Sequence, residues 1–317
     1  MASQMPAAMP HFDHRFHAMG GPCRLRFDCP DEAEAAELIA SAEAEAARLE
    51  RKYSRYLSDS LVARINSAAG APDPVPIDEE TVGLLRFADT LWQQSAGLFD
   101  PTAGVLRKAW DFKSGRLPAP AALDALLTLI GWDRVQWDAS SIRLPQPGME
   151  IDFGGWVKEY ASDSIAAVLE RRGVERGLVD LAGDMAVFGA GSVAEPWPVG
   201  IRHPRDAGSA IAWIRLAAGG LASSGDYERC MLVGGKRYGH ILNPATGWPV
   251  QGLVAVSIGA PQCLVAGGSA TIAMLLPEAE ALEWLAALGL PWFAVDSALA
   301  CHGDFGSTSG AVEEPRQ

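Results

Sequence analysis

The segment Ile151-Asp-Phe-Gly-Gly-Trp-Val-Lys158 holds an acid, two glycines and a lysine close together. We expect Asp152 to end a strand and the two glycines to open a helix. Glycine lacks a Cβ, so a ligand can approach its backbone closely, and the N-terminus of a helix favours a phosphate group. Lys158 would neutralise that phosphate. The segment therefore indicates a phosphate site, although a plain glycine turn beside a surface lysine would also account for it.

Three further loops combine glycine with side chains that transfer protons or bind ligands. Ser223-Ser-Gly-Asp-Tyr227 offers hydroxyls, free backbone and a carboxylate, although an ordinary hairpin turn would also explain it. His240-Ile-Leu-Asn-Pro-Ala-Thr-Gly247 brings an imidazole to the end of a predicted strand. A lone histidine is more often structural, but it is the obvious general base where it lines a pocket. Leu181-Ala-Gly-Asp184 is a strand predicted to end in Gly-Asp.

Several classes of protein are excluded by motif and composition. The sequence has no Gly-x-x-x-x-Gly-Lys-Ser/Thr loop, no Gly-x-Ser-x-Gly turn and no Cys/His metal spacing. The net charge of −13 argues against unspecific binding to nucleic acid or to an anionic membrane, which both need clustered Lys and Arg. The five cysteines are odd in number and include no Cys-x-x-Cys pair, so we expect reduced thiols.

Helices and strands must bring these loops together, and their predicted positions indicate the fold class. Asp31 and Asp78 are predicted to cap two amphipathic helices. Further helices are predicted over 58–66, 121–130, 153–172, 263–275 and 278–288, and strands over 16–27, 134–137, 142–144, 177–181, 185–188, 198–202, 211–216, 238–242, 253–258 and 292–295. Strands and helices alternate unevenly, which favours an α+β fold of layered mixed or antiparallel sheets flanked by helices over a doubly wound sheet.

The chain is predicted to form a single domain over residues 16–302, with a flexible leader over 1–15 and a disordered tail over 303–317. No continuous apolar stretch of signal-peptide length precedes Phe16, and no apolar run approaches the length of a membrane helix. Cys23 follows no apolar segment, so it is not expected to carry a lipid. These features predict a cytoplasmic protein.

Eight short pieces, in this order, carry a resemblance over most of the chain: His17-Ala-Met-Gly20; Tyr53-Ser-Arg-Tyr56 with Ser58-Asp-Ser60 and Asn66; Phe99-Asp-Pro-Thr102 with Trp110; Asp152 to Lys158 with Tyr160 and Asp163; Ala182-Gly-Asp184; Ser224-Gly-Asp-Tyr227; His240-Ile-Leu-Asn-Pro244 with Thr246-Gly247; and Ala270-Thr271. Together they resemble the ApbE family of FAD:protein FMN transferases. The resemblance implies an ApbE-like, T-fold-like architecture.

The activity that the resemblance implies is phosphoryl transfer from FAD, with Mg²⁺ against the pyrophosphate. A Thr or Ser hydroxyl of an acceptor protein attacks the phosphorus next to riboflavin, FMN becomes linked to the acceptor and AMP leaves. The acceptor is expected to carry a sequence like Ser/Thr-Gly-Ala-Ser/Thr. The site must neutralise the pyrophosphate, orient the hydroxyl and take its proton.

The resemblance also assigns residues to these tasks. Residues expected to contact the nucleotide, through the rings or the pyrophosphate, are Met19, Tyr56, Leu98, Phe99, Asp100, Asp152, Lys158, Ser224, His240 and Ile241. Residues expected to act in catalysis are His240 and Asp226. The metal position is implied to involve the backbone carbonyl of Gly155, the side-chain oxygen of Thr271 and the position of Gly267.

Three departures from the family pattern bear on the metal. Gly267 stands where the family usually has the aspartate that binds magnesium, Asn243 stands where it often has Asp, and Glu159 replaces a common Gly after the lysine. A hard cation held only by a threonine oxygen, backbone carbonyls and water would bind much more weakly. Either another acid such as Asp226 or Asp184 supplies the charge, or the protein binds FAD without transferring FMN.

Two more functions are compatible with these loops. The same pocket would hydrolyse FAD to FMN and AMP if water replaced the acceptor, and a protein-binding module without a nucleotide is the least favoured hypothesis. The tail residues Ser309-Gly-Ala-Val312 resemble an acceptor sequence but end in valine, and we interpret them as a coincidental match.

Overall fold

The computed structural model describes residues 11–189, 196–206, 208–227 and 229–305. Its helices are α1 Glu32–Tyr53, α2 Leu61–Ser67, α3 Glu79–Gln94, α4 Pro120–Leu127, α5 Val157–Arg171, α6 Cys263–Leu275 and α7 Glu278–Ala287. Short 3-10 helices span Ala103–Lys108 and Trp132–Arg134. The strands are β1 His11–Ala18, β2 Gly21–Asp28, β3 Val75–Pro76, β4 Gln136–Trp137, β5 Ser141–Arg143, β6 Gly177–Leu181, β7 Asp184–Phe188, β8 Trp197–Arg202, β9 Ala210–Leu216, β10 Gly219–Gly225, β11 Cys230–Val233, β12 Lys236–Gly239, β13 Ala255–Ala260, β14 Trp292–Val295 and β15 Cys301–Asp304.

A wholly antiparallel sheet in the order β1-β2-β6-β7-β10-β13-β14-β15 forms the centre of the molecule. Side chains alternate between its two faces, as a strand requires. On β6, Val179 packs into the main core with α1, α5 and α6, whereas Leu178 packs against the β8–β9 hairpin through Trp197 and Ile214. The sheet is therefore covered by helices on one face and by a hairpin on the other, which confirms the predicted layered α+β class.

The helix layer depends on capping as well as on apolar packing. The Asp31 carboxylate accepts hydrogen bonds from the backbone N–H groups of Ala33 and Glu34 at the start of α1. The Asp78 carboxylate accepts one from Thr81 at the start of α3. Both capping aspartates were predicted from the sequence. They fix where the apolar faces of α1 and α3 begin.

A smaller cluster joins the loop after residue 100 to the loop after residue 240. Trp110 packs edge-on against Trp248 with ring centroids 5.4 Å apart, and its Nε1 donates a hydrogen bond to the carbonyl of Gly247 at 2.8 Å. Leu106, Leu123 and Met231 complete the buried part of this cluster. Two of the loops that carried candidate site residues in the sequence are thus held together by packed aromatic rings.

Several predicted boundaries are wrong. Residues 11–15, predicted to be a flexible leader, belong to β1, because His11 to Phe16 alternate in exposure and pair with β2. The predicted strand over 16–27 is a β1–β2 hairpin that turns at Met19 and Gly20, which both have positive φ. The predicted tail begins inside β15. Residues 1–10 and 306–317, including the Ser309 segment, lie outside the described part.

Three local predictions also need correction. Ile151 and Asp152 do not end a strand: the backbone of Ile151 is bound by the Asn66 side chain, and the Asp152 N–H donates to the carbonyl of Pro101. Asp184 begins β7 rather than ending a strand. The strand predicted over 238–242 ends at Gly239. No helix in the described ranges is long and apolar enough to cross a membrane.

Candidate active site

Helices α5 and α6 pack antiparallel, and two contacts set their register. The Asp163 carboxylate accepts hydrogen bonds from the N–H groups of Cys263 at 2.8 Å and Leu264 at 2.9 Å, which satisfies the N-terminus of α6. One turn away on both helices, Glu159 contacts Gly267. Residues four apart share a helix face, so the two contacts belong to one continuous interface.

The next step along this interface leads to the remaining predicted metal residues. Four residues beyond Gly267 lies Thr271, and four before Glu159 lies Gly155, in the turn that precedes α5. The Thr271 hydroxyl lies 3.4 Å from the Ser224 hydroxyl at the end of β10. The packing of α5 on α6 therefore places Gly267 and Thr271, with Ser224 beside Thr271, along one interface, and Gly155 lies in the turn that leads into α5.

Glu159 fills the space beside Gly267. A Cβ built on Gly267 would lie 2.8 Å from Oε1 of Glu159 and 2.9 Å from its Cδ, closer than real side chains approach. Only 8% of Glu159 is exposed, and its Oε2 has no hydrogen-bond partner among the described residues. Burial, and then the negative charge of Asp184, hold the pKa of Glu159 well above its usual value.

Lys158 and Asp184 form an ion pair next to this carboxyl group. Nζ of Lys158 lies 2.7 Å from Oδ2 of Asp184, which is almost fully buried. The backbone carbonyl of Asp184 accepts a hydrogen bond from the Ser162 hydroxyl at 2.9 Å, which ties β7 to α5. Lys158, which was predicted to neutralise a phosphate, is thus held in place by Asp184, which was predicted to end a strand.

Asp152 lies in a network that the sequence did not predict. Arg55 donates to its Oδ2, and the N–H of Gly154 donates to its Oδ1 at 3.0 Å. A Cβ on Gly104 would lie 2.5 Å from the Cβ of Asp152, so the 3-10 helix passes directly over it. Arg55 also donates to the hydroxyl of Tyr56 at 2.9 Å, and Tyr56 is 73% exposed. Tyr56 and Asp152 are therefore neighbours through one guanidinium.

Two apolar residues of the loop after α3 have packing roles. Phe99 is buried and lies against Gly155, where a Cβ would meet its ring at 3.5 Å. Leu98 packs half-buried on the main core. Phe99 therefore supports the turn that carries one of the predicted metal positions.

Asp100, in the same loop, has a stabilising role. It accepts hydrogen bonds from the N–H of Thr102 at 2.7 Å and the N–H of Trp132 at 3.0 Å. Burial raises the pKa of Asp100 despite these bonds. Its carboxylate thus ties the loop after α3 to the 3-10 helix that begins at Trp132.

Met19 is placed by the β1–β2 turn. Its φ of +53° is a left-handed conformation that non-glycine residues adopt uncommonly, and its N–H donates to Oε2 of Glu50 at 3.2 Å. The side chain is partly buried against the main core. These contacts hold Met19 beside the C-terminal half of α1.

Asp226 and Ile241 line one cleft of about 420 Å³. Both Asp226 oxygens accept from Arg205, at 2.6 and 2.8 Å. A Cβ on Gly239 would lie 3.4 Å from that of Asp226, so the chain enters the His240 loop beside the carboxylate. A larger cavity of about 630 Å³, with a mostly apolar lining, contains none of the predicted site residues.

The residues around Gly267 include one carboxyl group, that of Glu159, which could take part in holding a divalent cation. No group of three or more His, Cys, Asp or Glu side chains that could hold a metal occurs in the described part of the chain. Mg²⁺ does not require such a group, because it is commonly held by one or two carboxylates together with substrate phosphates and water. The Oε2 atom of Glu159, unpartnered among the described residues, supplies a carboxylate at this place.

Some contacts of the candidate site residues had no signal in the sequence. Arg55 lies in a segment that carried the family resemblance, yet its pairing with Asp152 joins distant parts of the chain. Arg205 belongs to no motif, and only the fold places it on Asp226. The contact between Glu159 and Gly267 depends in the same way on how α5 packs against α6.

Comparison with known proteins finds similar sequences over most of the chain. The sequence model of the ApbE family matches residues 19–293. An FAD:protein FMN transferase of Salmonella typhimurium is 30% identical over 275 residues, covering 84% of this chain and 78% of the relative. An FAD:protein FMN transferase of Treponema pallidum is 31% identical over 280 residues, covering 81% of this chain and 76% of the relative.

Solved structures agree as well. The crystal structure of the ApbE protein from Thermotoga maritima superposes with a TM-score of 0.85 at 26% identity, covering 95% of this chain and all of that chain. The apo flavinyl transferase ApbE of Pseudomonas stutzeri gives a TM-score of 0.84 at 26% identity, covering 97% of this chain and 99% of that chain. The fold, the order of the site loops and the match over residues 19–293 together show that the chain belongs to the ApbE family.

Proposed function

We propose that this protein is an FAD:protein FMN transferase, which moves FMN from FAD to a Thr or Ser hydroxyl of an acceptor protein and releases AMP. Membership of the ApbE family supports this activity. The observation that carries it is the packing of α5, α6 and β10: Glu159, next to Lys158 on α5, contacts Gly267 of α6, and one turn further along α6 the Thr271 hydroxyl lies 3.4 Å from that of Ser224. An ammonium and two hydroxyls suit a pyrophosphate, and a carboxyl group suits the divalent cation that would accompany it.

In the reaction, the acceptor hydroxyl oxygen forms a bond to the phosphorus that carries riboflavin, and the anhydride bond of FAD breaks. AMP leaves with the bridging oxygen, and the hydroxyl proton must pass to a base. We assign this role to His240, whose ring Nδ1 is enclosed by protein, or to Asp226 in the adjoining cleft. Lys158 would balance the charge of the pyrophosphate.

Mg²⁺, when bound, would lower the repulsion between pyrophosphate oxygens and the attacking oxygen. The carbonyl of Gly155 and the hydroxyl of Thr271 would hold it. Tyr56 and Asp152 would border the flavin nucleotide, with Arg55 fixing the Asp152 carboxylate. The acceptor would present a Ser/Thr-Gly-Ala-Ser/Thr-like sequence, and the cytoplasmic location expected from the sequence stays a prediction.

An FAD-binding protein without transfer is less favoured by the structure. That hypothesis rested on the missing carboxylate at Gly267, and Glu159 brings a carboxyl group to the same space. A protein of this kind would not need a buried acid there with an oxygen unpartnered among the described residues. Hydrolysis of FAD would use water in the same pocket and is separated from transfer by its products.

The direct test incubates the purified protein with FAD, Mg²⁺ and an acceptor domain bearing a Thr-Gly-Ala-Thr sequence. Mass spectrometry should show a gain equal to one FMN on the acceptor, together with an equal amount of AMP. An unmodified acceptor, beside an active ApbE family member that modifies it, would overturn the proposal. AMP and FMN released in the absence of acceptor would instead indicate hydrolysis.

A further inference from the structure

We propose that Glu159 provides the carboxylate ligand of the divalent cation, in place of the side chain that Gly267 lacks. The inference rests on the proposed function, because it gives the cation of that same site its charged ligand. The carboxylate would thereby be supplied from α5 rather than from α6.

The steric argument is that the two positions share one space. A Cβ on Gly267 would lie 2.8 Å from Oε1 of Glu159 and 2.9 Å from Cδ, so the Glu159 carboxyl group occupies the volume of a side chain at 267. Such contacts fall below the separation that real Cβ atoms adopt. A side chain at 267 would therefore force the Glu159 side chain to move, and this contact also accounts for a glycine within a helix, where it costs about 1 kcal/mol.

The chemical argument is that the Glu159 carboxyl group lacks a protein partner for one oxygen. Its Oε2 is fully enclosed and has no hydrogen-bond donor among the described residues. An unpaired buried carboxyl is costly, so such groups are generally paired or bound to a metal. The Thr271 hydroxyl is one helical turn beyond Gly267 on the same face of α6, within reach of a cation held by this carboxylate.

The other two acids considered for this role, Asp184 and Asp226, are already paired with a lysine or an arginine of the protein. Asp184 lies 2.7 Å from Lys158 through Oδ2. Both oxygens of Asp226 accept from Arg205. Glu159 is the acid that touches Gly267 and has an oxygen without a protein partner in the described ranges.

The proposed ligand set agrees with the chemistry of magnesium. Glu159 would give one carboxylate oxygen, Thr271 a hydroxyl and Gly155 a backbone carbonyl. Pyrophosphate oxygens and water would complete the coordination, as is usual for Mg²⁺. A cation bound in this way would also place its positive charge next to the buried Glu159 and Asp184.

The test measures Mn²⁺ binding by electron paramagnetic resonance in the presence of FAD, a readout independent of turnover. Glu159→Gln keeps the size of the side chain and removes its charge, and we expect Mn²⁺ affinity to fall about tenfold or more. Glu170→Gln, on the exposed side of the same helix, is the matched control and should bind as the unmodified protein does. Unchanged affinity in folded Glu159→Gln would overturn the inference.

A second set of variants exchanges the two positions. Gly267→Asp alone should fold poorly, because the new side chain overlaps Glu159. The double change Glu159→Gly with Gly267→Asp should recover Mn²⁺ affinity to within a few-fold of the unmodified protein, whereas Glu159→Gly alone should not. A folded double variant that binds Mn²⁺ no better than Glu159→Gly would also contradict the exchange.

The role of Glu159 and the transfer of FMN can fail independently. If Mn²⁺ binding depends on Glu159 but no FMN reaches an acceptor, the ligand assignment holds and the transferase proposal fails. If FMN transfer proceeds and the Mn²⁺ affinity is unchanged in Glu159→Gln, the transferase proposal holds and the ligand assignment fails.

Discussion

Nζ of Lys158 lies 2.7 Å from Oδ2 of Asp184, a carboxylate whose side chain is 4% exposed while the lysine is 28% exposed. The acid is therefore committed to the protein interior, whereas the ammonium reaches toward solvent. This asymmetry suits a lysine whose ammonium group is positioned by an interior carboxylate and contacts an anionic ligand from the solvent side. It also means that the lysine has a structural role as well as a binding role.

Lys158→Met should destabilise the fold by about 3 kcal/mol, because it leaves the buried Asp184 charge without this cation. The double variant Lys158→Met with Asp184→Asn should regain most of that stability, yet FAD affinity should remain low in both. Urea unfolding and fluorescence titration with FAD measure the two effects. Restored FAD binding in the double variant would show that Lys158 does not contact the nucleotide.

Gly104→Ala should disturb Asp152, because the new methyl group would overlap the Asp152 Cβ at 2.5 Å. We expect a loss of about 1–3 kcal/mol in the free energy of unfolding, as for other overpacked sites, together with weaker FAD binding. Gly83→Ala is the control: it lies exposed in α3, where a Cβ meets no described atom of another segment within 4 Å. That change should stabilise the protein by about 0.5–1 kcal/mol. Equal effects at the two glycines would contradict the packing of Gly104 on Asp152.

His240→Asn should lower kcat for FMN transfer by about 100-fold or more, the usual contribution of a general base. FAD affinity should change much less than kcat. Asp226→Asn should have a smaller effect on kcat, because Arg205 neutralises that carboxylate in the structure. Steady-state kinetics of both variants, with bound FAD measured separately, decide the assignment. The reverse order of effects would make Asp226 the base.

The lowered pKa of Glu80 accounts for part of the stability that the fold is expected to lose in acid. Hydrogen bonds from Arg48 and then from Lys52 lower the pKa of Glu80 to about 2, against partial burial, which raises it. A lowered pKa in the folded state stabilises the protein above the unfolded value of 4.5, and this stabilisation is lost as the pH falls toward 2. The groups are partly screened by solvent, so we expect about 1 kcal/mol.

Glu80→Gln should flatten the pH dependence of the unfolding free energy between about pH 4.5 and 2. The glutamine variant should also be less stable than the unmodified protein at neutral pH, because Arg48 loses a charged partner. Chemical unfolding at a series of pH values measures both effects. A slope between about pH 4.5 and 2 that is unchanged by the substitution would exclude Glu80 as its source.

Elements with strong local signals were predictable from the sequence. The strand over 292–295 and the helix over 263–275 have their predicted bounds. For the helix, the bounds were predictable because Pro261 and Pro277 flank it. β10 was missed because Gly219 to Gly225 is rich in glycine and serine, and its pairing with β7 and β13 decides its conformation. The first part of β1, residues 11–15, was missed because its charged residues resemble a loop.

The sequence proposed a set of candidate site residues but not how the fold arranges them. The family resemblance named Gly267 and Glu159 as separate departures, and their contact depends on the antiparallel packing of α5 on α6. Asp226 was proposed as an acid that would supply the charge missing at Gly267, yet both of its carboxylate oxygens accept hydrogen bonds from Arg205. Ion pairs between distant segments leave no periodic pattern in a sequence, so only the folded chain reveals them.

The exclusion between a side chain at 267 and the glutamate at 159 has an evolutionary consequence. A protein that carries acids at both positions has a steric conflict, and one that carries glycine at both has no carboxylate there. The two workable arrangements are glutamate at 159 with glycine at 267, and glycine at 159 with an acid at 267. Changing only one of the two positions is therefore unfavourable from either arrangement, which is a case of reciprocal sign epistasis. Relatives with an acid at the position of Gly267 are expected to have a small residue at the position of Glu159, so the two sites should be compared as a pair.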